Sequence, residues 1–190
     1  MITKYVKKLT EIVEEQYNLY RYNDEDDPNL SKQIRKYWED IGENFPGVKK
    51  AWSAVFVSWC IKKAGATKTE FKFHPRHAAF VHKAIENADK NQGVFRGHDI
   101  SSYAPGLGDI IQNNRSDNSF DFDFAKKNKK YLSHSAIVIG KGTDRSGNYV
   151  MTIGGNESNT ISKKRIQLLS DGLIKQRNNN PYICIIQNMK

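Results

Sequence analysis

Three short stretches hold residue types that could carry out nucleophilic chemistry. Ser53 follows Trp52 at the start of 51–64, the most apolar helix candidate in the chain. The free N–H groups and dipole of a helix N-terminus stabilise an anion there. A serine hydroxyl needs a base, and His134 opens the apolar run 135–139, which reads as a strand. An imidazole in turn needs an orienting partner. Gly154-Gly155-Asn156 directly follow a strand ending at Ile153. The glycines permit a sharp turn, and the Asn156 amide could hold the tautomer. Each stretch alone has an ordinary explanation: a first-turn serine, a histidine at a sheet edge, a hairpin turn. Their order in the chain is what gives them weight.

Competing sites are weaker. Cys60 lies seven residues beyond Ser53 on the same helix face, about 10 Å deeper at ~1.5 Å per residue, and reads as a core residue. His74 and His77 are spaced to share a metal, but no second ligand pair stands at suitable spacing, so neither metal nor cofactor is expected. The acidic run 23–29 lacks the glycine of a calcium loop and reads as a solvated connection. Cys60 and Cys184 cannot build a disulfide framework and read as buried free thiols.

The elements that must position these residues follow from periodicity. Apolar positions at helical spacing predict helices over 3–20, from a Ser31 cap through Ile41, over 51–64 with Gly65 as the stop, and from Pro75 to about Asp89. After residue 100 the period shortens. Strands are predicted at 109–111, 135–139, 149–153, 160–162 and 182–186. Helices first and strands later give an α+β fold, with a central buried helix packed on a short-stranded antiparallel sheet. Residues 113–131 are long for a plain connection and suit a lid or specificity loop.

At 190 residues with 38% hydrophobic content, the chain is one ordinary globular domain. No apolar run approaches the ~18 residues of a membrane span, and charges at Lys4, Lys7, Lys8, Glu11, Glu14 and Glu15 exclude a signal peptide, so cytoplasmic synthesis without membrane insertion is expected. The net charge of +9 is uneven. Residues 1–50 carry 9 basic against 10 acidic side chains, so 51–190 carry 21 against 11, or +10. A basic body suits a polyanionic partner. Nucleic acid is a poor fit, because the basic run 126–130 has only Tyr131 beside it as a stacking surface.

The segments 51–60 (Ala-Trp-Ser-Ala-Val-Phe-Val-Ser-Trp-Cys), 105–111 (Pro-Gly-Leu-Gly-Asp-Ile-Ile), 133–138 (Ser-His-Ser-Ala-Ile-Val) and 153–156 (Ile-Gly-Gly-Asn) occur in a telling order. Together they resemble the CHAP and NlpC-type branch of the papain-like hydrolases, which cleave peptidoglycan amide bonds. The resemblance covers about residues 35–165 and extends to a bacterial domain family of unknown function in which serine replaces the cysteine. It implies a papain-like domain over 46–190, preceded by a helical extension over 1–45 packed on the core. It also implies Ser53 as nucleophile, His134 as base and Asn156 as orienting residue. Trp52, His77, Asp109 and Arg115 fall on the substrate side, Asp109 also being suited to fixing a loop and Arg115 to gripping a carboxylate. The implied partner is peptidoglycan or another anionic wall polymer, with an immunity or chaperone protein beside it and export by lysis or a specialised secretion system. Two departures stand out: serine for cysteine, and Ala136 where relatives tend to carry an acid. A serine must lose its proton during attack, so the site is either a working serine hydrolase or a wall-binding module that has lost its chemistry.

Overall fold

The computed structural model describes residues 2–190. Four helices come first: α1 (Lys4–Tyr20), α2 (Pro28–Ile41), α3 (Ser53–Ala64) and α4 (His77–Asp89). Then follow β1 (Phe95–Asp99), β2 (Ile110–Asn114), the short α5 (Phe122–Lys127), β3 (Ser133–Asp144), β4 (Gly147–Glu157), β5 (Thr160–Gln167) and β6 (Tyr182–Asn188). The strands form one six-stranded antiparallel sheet in the order β1-β6-β2-β3-β4-β5. The fold is therefore α+β. No helix among the described residues is long and apolar enough to cross a membrane.

Helix α3 is apolar on nearly all sides because it is covered on nearly all sides. It lies against β3 and β4, while α1 and α2 pack on it from outside. Leu9, Val13, Leu30 and Ile34 from α1 and α2 share one core with Val55, Phe56 and Ile61 of α3 and with Ile137 and Ile153 of the sheet. Helices α1 and α2 are thus built into the same core as the rest. Strand alternation supplies a second, smaller core, which includes Val150: Ile111, Val138 and Ile185 each neighbour a residue of the first core, yet point to the other side.

The structure moves several boundaries. Helix α2 starts at Pro28 rather than Ser31, because the Asp27 carboxylate caps it by accepting the Asn29 N–H, with proline at the first turn. Helix α4 starts at His77, two residues after Pro75. Strand β1 was not signalled, since Phe95 is the one large apolar residue in Phe-Arg-Gly-His-Asp. The 113–131 segment is fastened down rather than free to swing as a lid. The Asn114 side chain donates to the carbonyls of Phe120 and Pro181 and accepts from the Phe120 N–H, and Phe120 stacks on Phe124 at 4.1 Å.

Candidate active site

Ser53 is the first residue of α3 and is almost wholly buried. Its Oγ lies 2.8 Å from Nδ1 of His134, and Nε2 of His134 lies 2.7 Å from Oε1 of Glu157. These three side chains form a hydrogen-bonded line across three elements. With Glu157 ionised, His134 donates its Nε2–H to the carboxylate and leaves Nδ1 bare to accept the Ser53 hydroxyl proton. The ring is used in the opposite sense to chymotrypsin, where Nε2 faces the serine. Burial works to raise the Glu157 carboxyl, but the His134 bond and the Lys164 charge outweigh it and hold the group below its usual range. Lys164 Nζ sits 2.7 Å from the second carboxylate oxygen, close enough for an ion pair though not aligned as a hydrogen bond.

A second imidazole touches the same hydroxyl. His77 Nε2 lies 2.9 Å from Ser53 Oγ, and His77 Nδ1 is buried without a partner. An orphaned lone pair costs less than an orphaned N–H, so the favoured tautomer has His77 donating Nε2–H to Oγ. Burial, and then the charges of His134 and Arg115, push the His77 pKa well below the ordinary histidine value. His77 is therefore a neutral, fixed donor to the Ser53 hydroxyl. Around them the first turn of α3 has no side-chain cap, because its N-cap is Trp52. That leaves the first-turn N–H groups of α3 without a side-chain acceptor, and such groups can hold an oxyanion.

The acid of the line is one residue later than expected. Asn156 has φ +56°, and the β4–β5 pairing shifts by one residue between Gly154 and Glu157. This is a β-bulge, with one extra residue on β4. In a regular strand Gly154 and residue 156 would share a face. The bulge inverts that parity. Its Cβ positions show the result: one added at Gly154 would meet Glu157 Oε1 and His134 Nε2, whereas one at Gly155 would meet Trp52 and Phe56. Asn156 does not reach the imidazole. Its amide donates to Glu25 Oε2 at 3.4 Å instead.

The remaining expected residues divide. Arg115 lines the site from two sides, as described below. Trp52 is fully buried, donates Nε1–H to Glu25 Oε2 at 3.2 Å, and cannot touch a ligand. Asp109 is buried away from both clefts, accepting from the Gly106 and Asn188 N–H groups and the Tyr103 hydroxyl. It fastens a turn to β6, and burial pushes its carboxyl up to about 6 against those bonds. Cys60 is fully buried, its thiol raised far above the ordinary value by desolvation, so it is no competitor to Ser53. No cluster among the described residues could hold a metal ion. Glu25 is the other unexpected participant; nothing in its acidic run distinguishes it from its neighbours.

Two clefts meet here. The larger, about 870 Å³, is lined by Ser53, His77, Lys50, Arg76, Lys130 and Arg115. The smaller, about 520 Å³, is lined by His134, Glu157, Lys164, Arg177 and again Arg115. Of these cations only Lys164 lies within 4 Å of a carboxylate among the described residues.

Residues 18–184 match the family described as "Uncharacterized protein conserved in bacteria (DUF2272)". No curated protein and no solved structure matches the chain.

Proposed function

The chain belongs to this bacterial DUF2272 family, and since that description carries no reaction, we propose from the site's geometry that the protein is a serine hydrolase acting on an amide bond of peptidoglycan. The observation that carries the proposal is the unbroken line Ser53–His134–Glu157, with links of 2.8 and 2.7 Å. As Ser53 Oγ attacks the carbonyl carbon, His134 takes the hydroxyl proton on Nδ1 and Glu157 stabilises the imidazolium. The first-turn N–H groups of α3 hold the oxyanion, and the His77 Nε2–H shields the developing charge on the serine side. When the tetrahedral intermediate collapses, His134 returns its proton to the departing amine. Water then repeats the cycle on the acyl-serine.

The wall substrate is supported by the unpaired cations of both clefts, which suit a chain bearing carboxylates. It is supported also by the papain-like order of helix nucleophile, strand histidine and next-strand orienting residue. Such a substrate lies outside the cytoplasmic membrane, and lysis or a specialised secretion system would deliver the protein to it.

The test uses isolated cell walls and a fluorophosphonate, which couples covalently to activated serines. Wild type is expected to release wall fragments with new amino termini and to be labelled at Ser53, and Ser53→Ala to do neither. Equal release by Ser53→Ala would refute the nucleophile. Wall binding without release by wild type at every pH would replace the hydrolase with a binding module.

A further inference from the structure

Among four acidic residues in the loop between α1 and α2, Asp24, Asp26 and Asp27 have local tasks. Asp24 accepts the N–H groups of Asp26 and Asp27, Asp26 pairs with Lys49, and Asp27 caps α2. Glu25 alone turns inward, and only 5% of it remains exposed. A single oxygen, Oε2, accepts from Trp52 Nε1 and from Asn156 Nδ2, while Oε1 lies 3.3 Å from Lys49 Nζ. Trp52 is the residue before Ser53. Asn156 is the residue before Glu157.

We propose that Glu25 is a positioning residue for the Ser53–His134–Glu157 line, fixing the start of α3 and the β4 bulge against each other through one carboxylate oxygen; this rests on the hydrolase proposal for what the line does. Desolvating a carboxylate is costly, and a loop that only had to close would not need it. The two donors it recruits are the ones whose placement decides the site. Trp52, as N-cap, sets where the first turn of α3 and the Ser53 hydroxyl begin. Asn156 holds the left-handed conformation that brings Glu157 to the face of His134. Remove the shared acceptor, and Asn156 loses the partner of its buried side of the bulge while Trp52 is left with an unpaired indole N–H. The Ser53 and Glu157 ends of the line can then drift independently.

Glu25→Ala, which removes the acceptor, Asn156→Ala and the double variant test this, with Asp26→Asn as an exposed control from the same loop. Two readouts are taken: the rate of fluorophosphonate labelling at Ser53, and the NMR resonance of the His134 Nε2–H, which reports its bond to Glu157 whether or not the protein is an enzyme. Each single variant is expected to label about tenfold more slowly and to shift the His134 resonance. The double variant should fall no further than either single one, because both act through one contact. Asp26→Asn should match wild type. A wild-type resonance and rate in Glu25→Ala would overturn the proposal, as would additive losses in the double variant. If wild type is never labelled, the hydrolase proposal fails, and the His134 resonance alone still decides the role of Glu25. Should Glu25→Ala fail to fold, Asn156→Gly, which tolerates the bulge and lacks the amide, decides it by the same resonance.

Discussion

Adjacent glycines in β4 give a sharp test of the site, because a methyl group at each would strike a different target. At Gly154 an added Cβ would lie 2.5 Å from Glu157 Oε1 and 2.9 Å from His134 Nε2. Ordinary contact begins at 3.4 Å, so the carboxylate oxygen must retreat by 3.4 − 2.5 = 0.9 Å. Taken along the bond, that stretches the 2.7 Å link to about 3.6 Å, beyond hydrogen-bonding range. A charged hydrogen bond is worth about 1.5–3 kcal/mol, so Gly154→Ala should slow Ser53 labelling or wall cleavage roughly 10- to 150-fold. At Gly155 the added Cβ would instead lie 2.6 Å from Trp52 Cζ3 and 2.7 Å from Phe56 Cγ, both rings fully buried. Overpacking of that kind costs about 1–3 kcal/mol, or a drop in Tm of about 2–12 °C at 2–4 °C per kcal/mol. Labelling kinetics and calorimetry on both variants separate the two effects. The reasoning is refuted if Gly154→Ala reacts at the wild-type rate, or if both variants lose stability equally and activity not at all.

Other consequences are as direct. His77 stays neutral when folded but takes up a proton in the unfolded chain, so stability should fall as pH drops below about 6.5, by up to about 1.4 kcal/mol per pH unit; urea unfolding between pH 5 and 7 should show that slope reduced by one proton in His77→Gln. Asp109 has the opposite sign. With its carboxyl raised to about 6 when folded, folding takes up a proton between pH 3.8 and 6, stability falls as pH rises through that window, and Asp109→Asn should lack this dependence. Arg115→Ala should raise KM for a carboxylate-bearing substrate about tenfold and weaken its salt dependence while kcat changes little, as steady-state kinetics at two ionic strengths would show.

Much of the arrangement was readable from residue types because periodicity survives tertiary packing. The near-continuous apolar run of 51–64 could only be a covered helix, and the polar turns between short apolar runs after residue 100 could only separate strands. Ser53 and His134 were legible because each sits at the start of such an element, where a terminus fixes its position. Glu157 was not, since a bulge is a backbone event: the sequence Gly-Gly-Asn-Glu allows it without requiring it, and a sharp turn after Ile153 offers the Asn156 amide first. The resemblance puts Trp52 on the substrate side, yet adjacent residues at a helix start point apart, and the indole goes to the core. Glu25 was hidden by its company. Three exposed acids beside it make the whole run look solvated, and only the arrival of residues 52 and 156 from elsewhere in the chain distinguishes it.

Ser53 opens on one cleft and His134 on the other, and in acyl transfer this separates the traffic. In the proposed hydrolysis the acyl half would stay tethered over the larger cleft, lined by Ser53, while the amine would depart past His134, through the smaller one. The vacated smaller cleft is then the entrance for whatever meets the acyl-serine next. Water arriving there completes hydrolysis. A second amine with a carboxylate to offer Arg115 or Arg177 would be drawn to the same place and would be joined to the acyl group instead. If the proposed acyl-serine forms, the separation of the two openings would make the balance between cutting and cross-linking depend on what fills one side of the site.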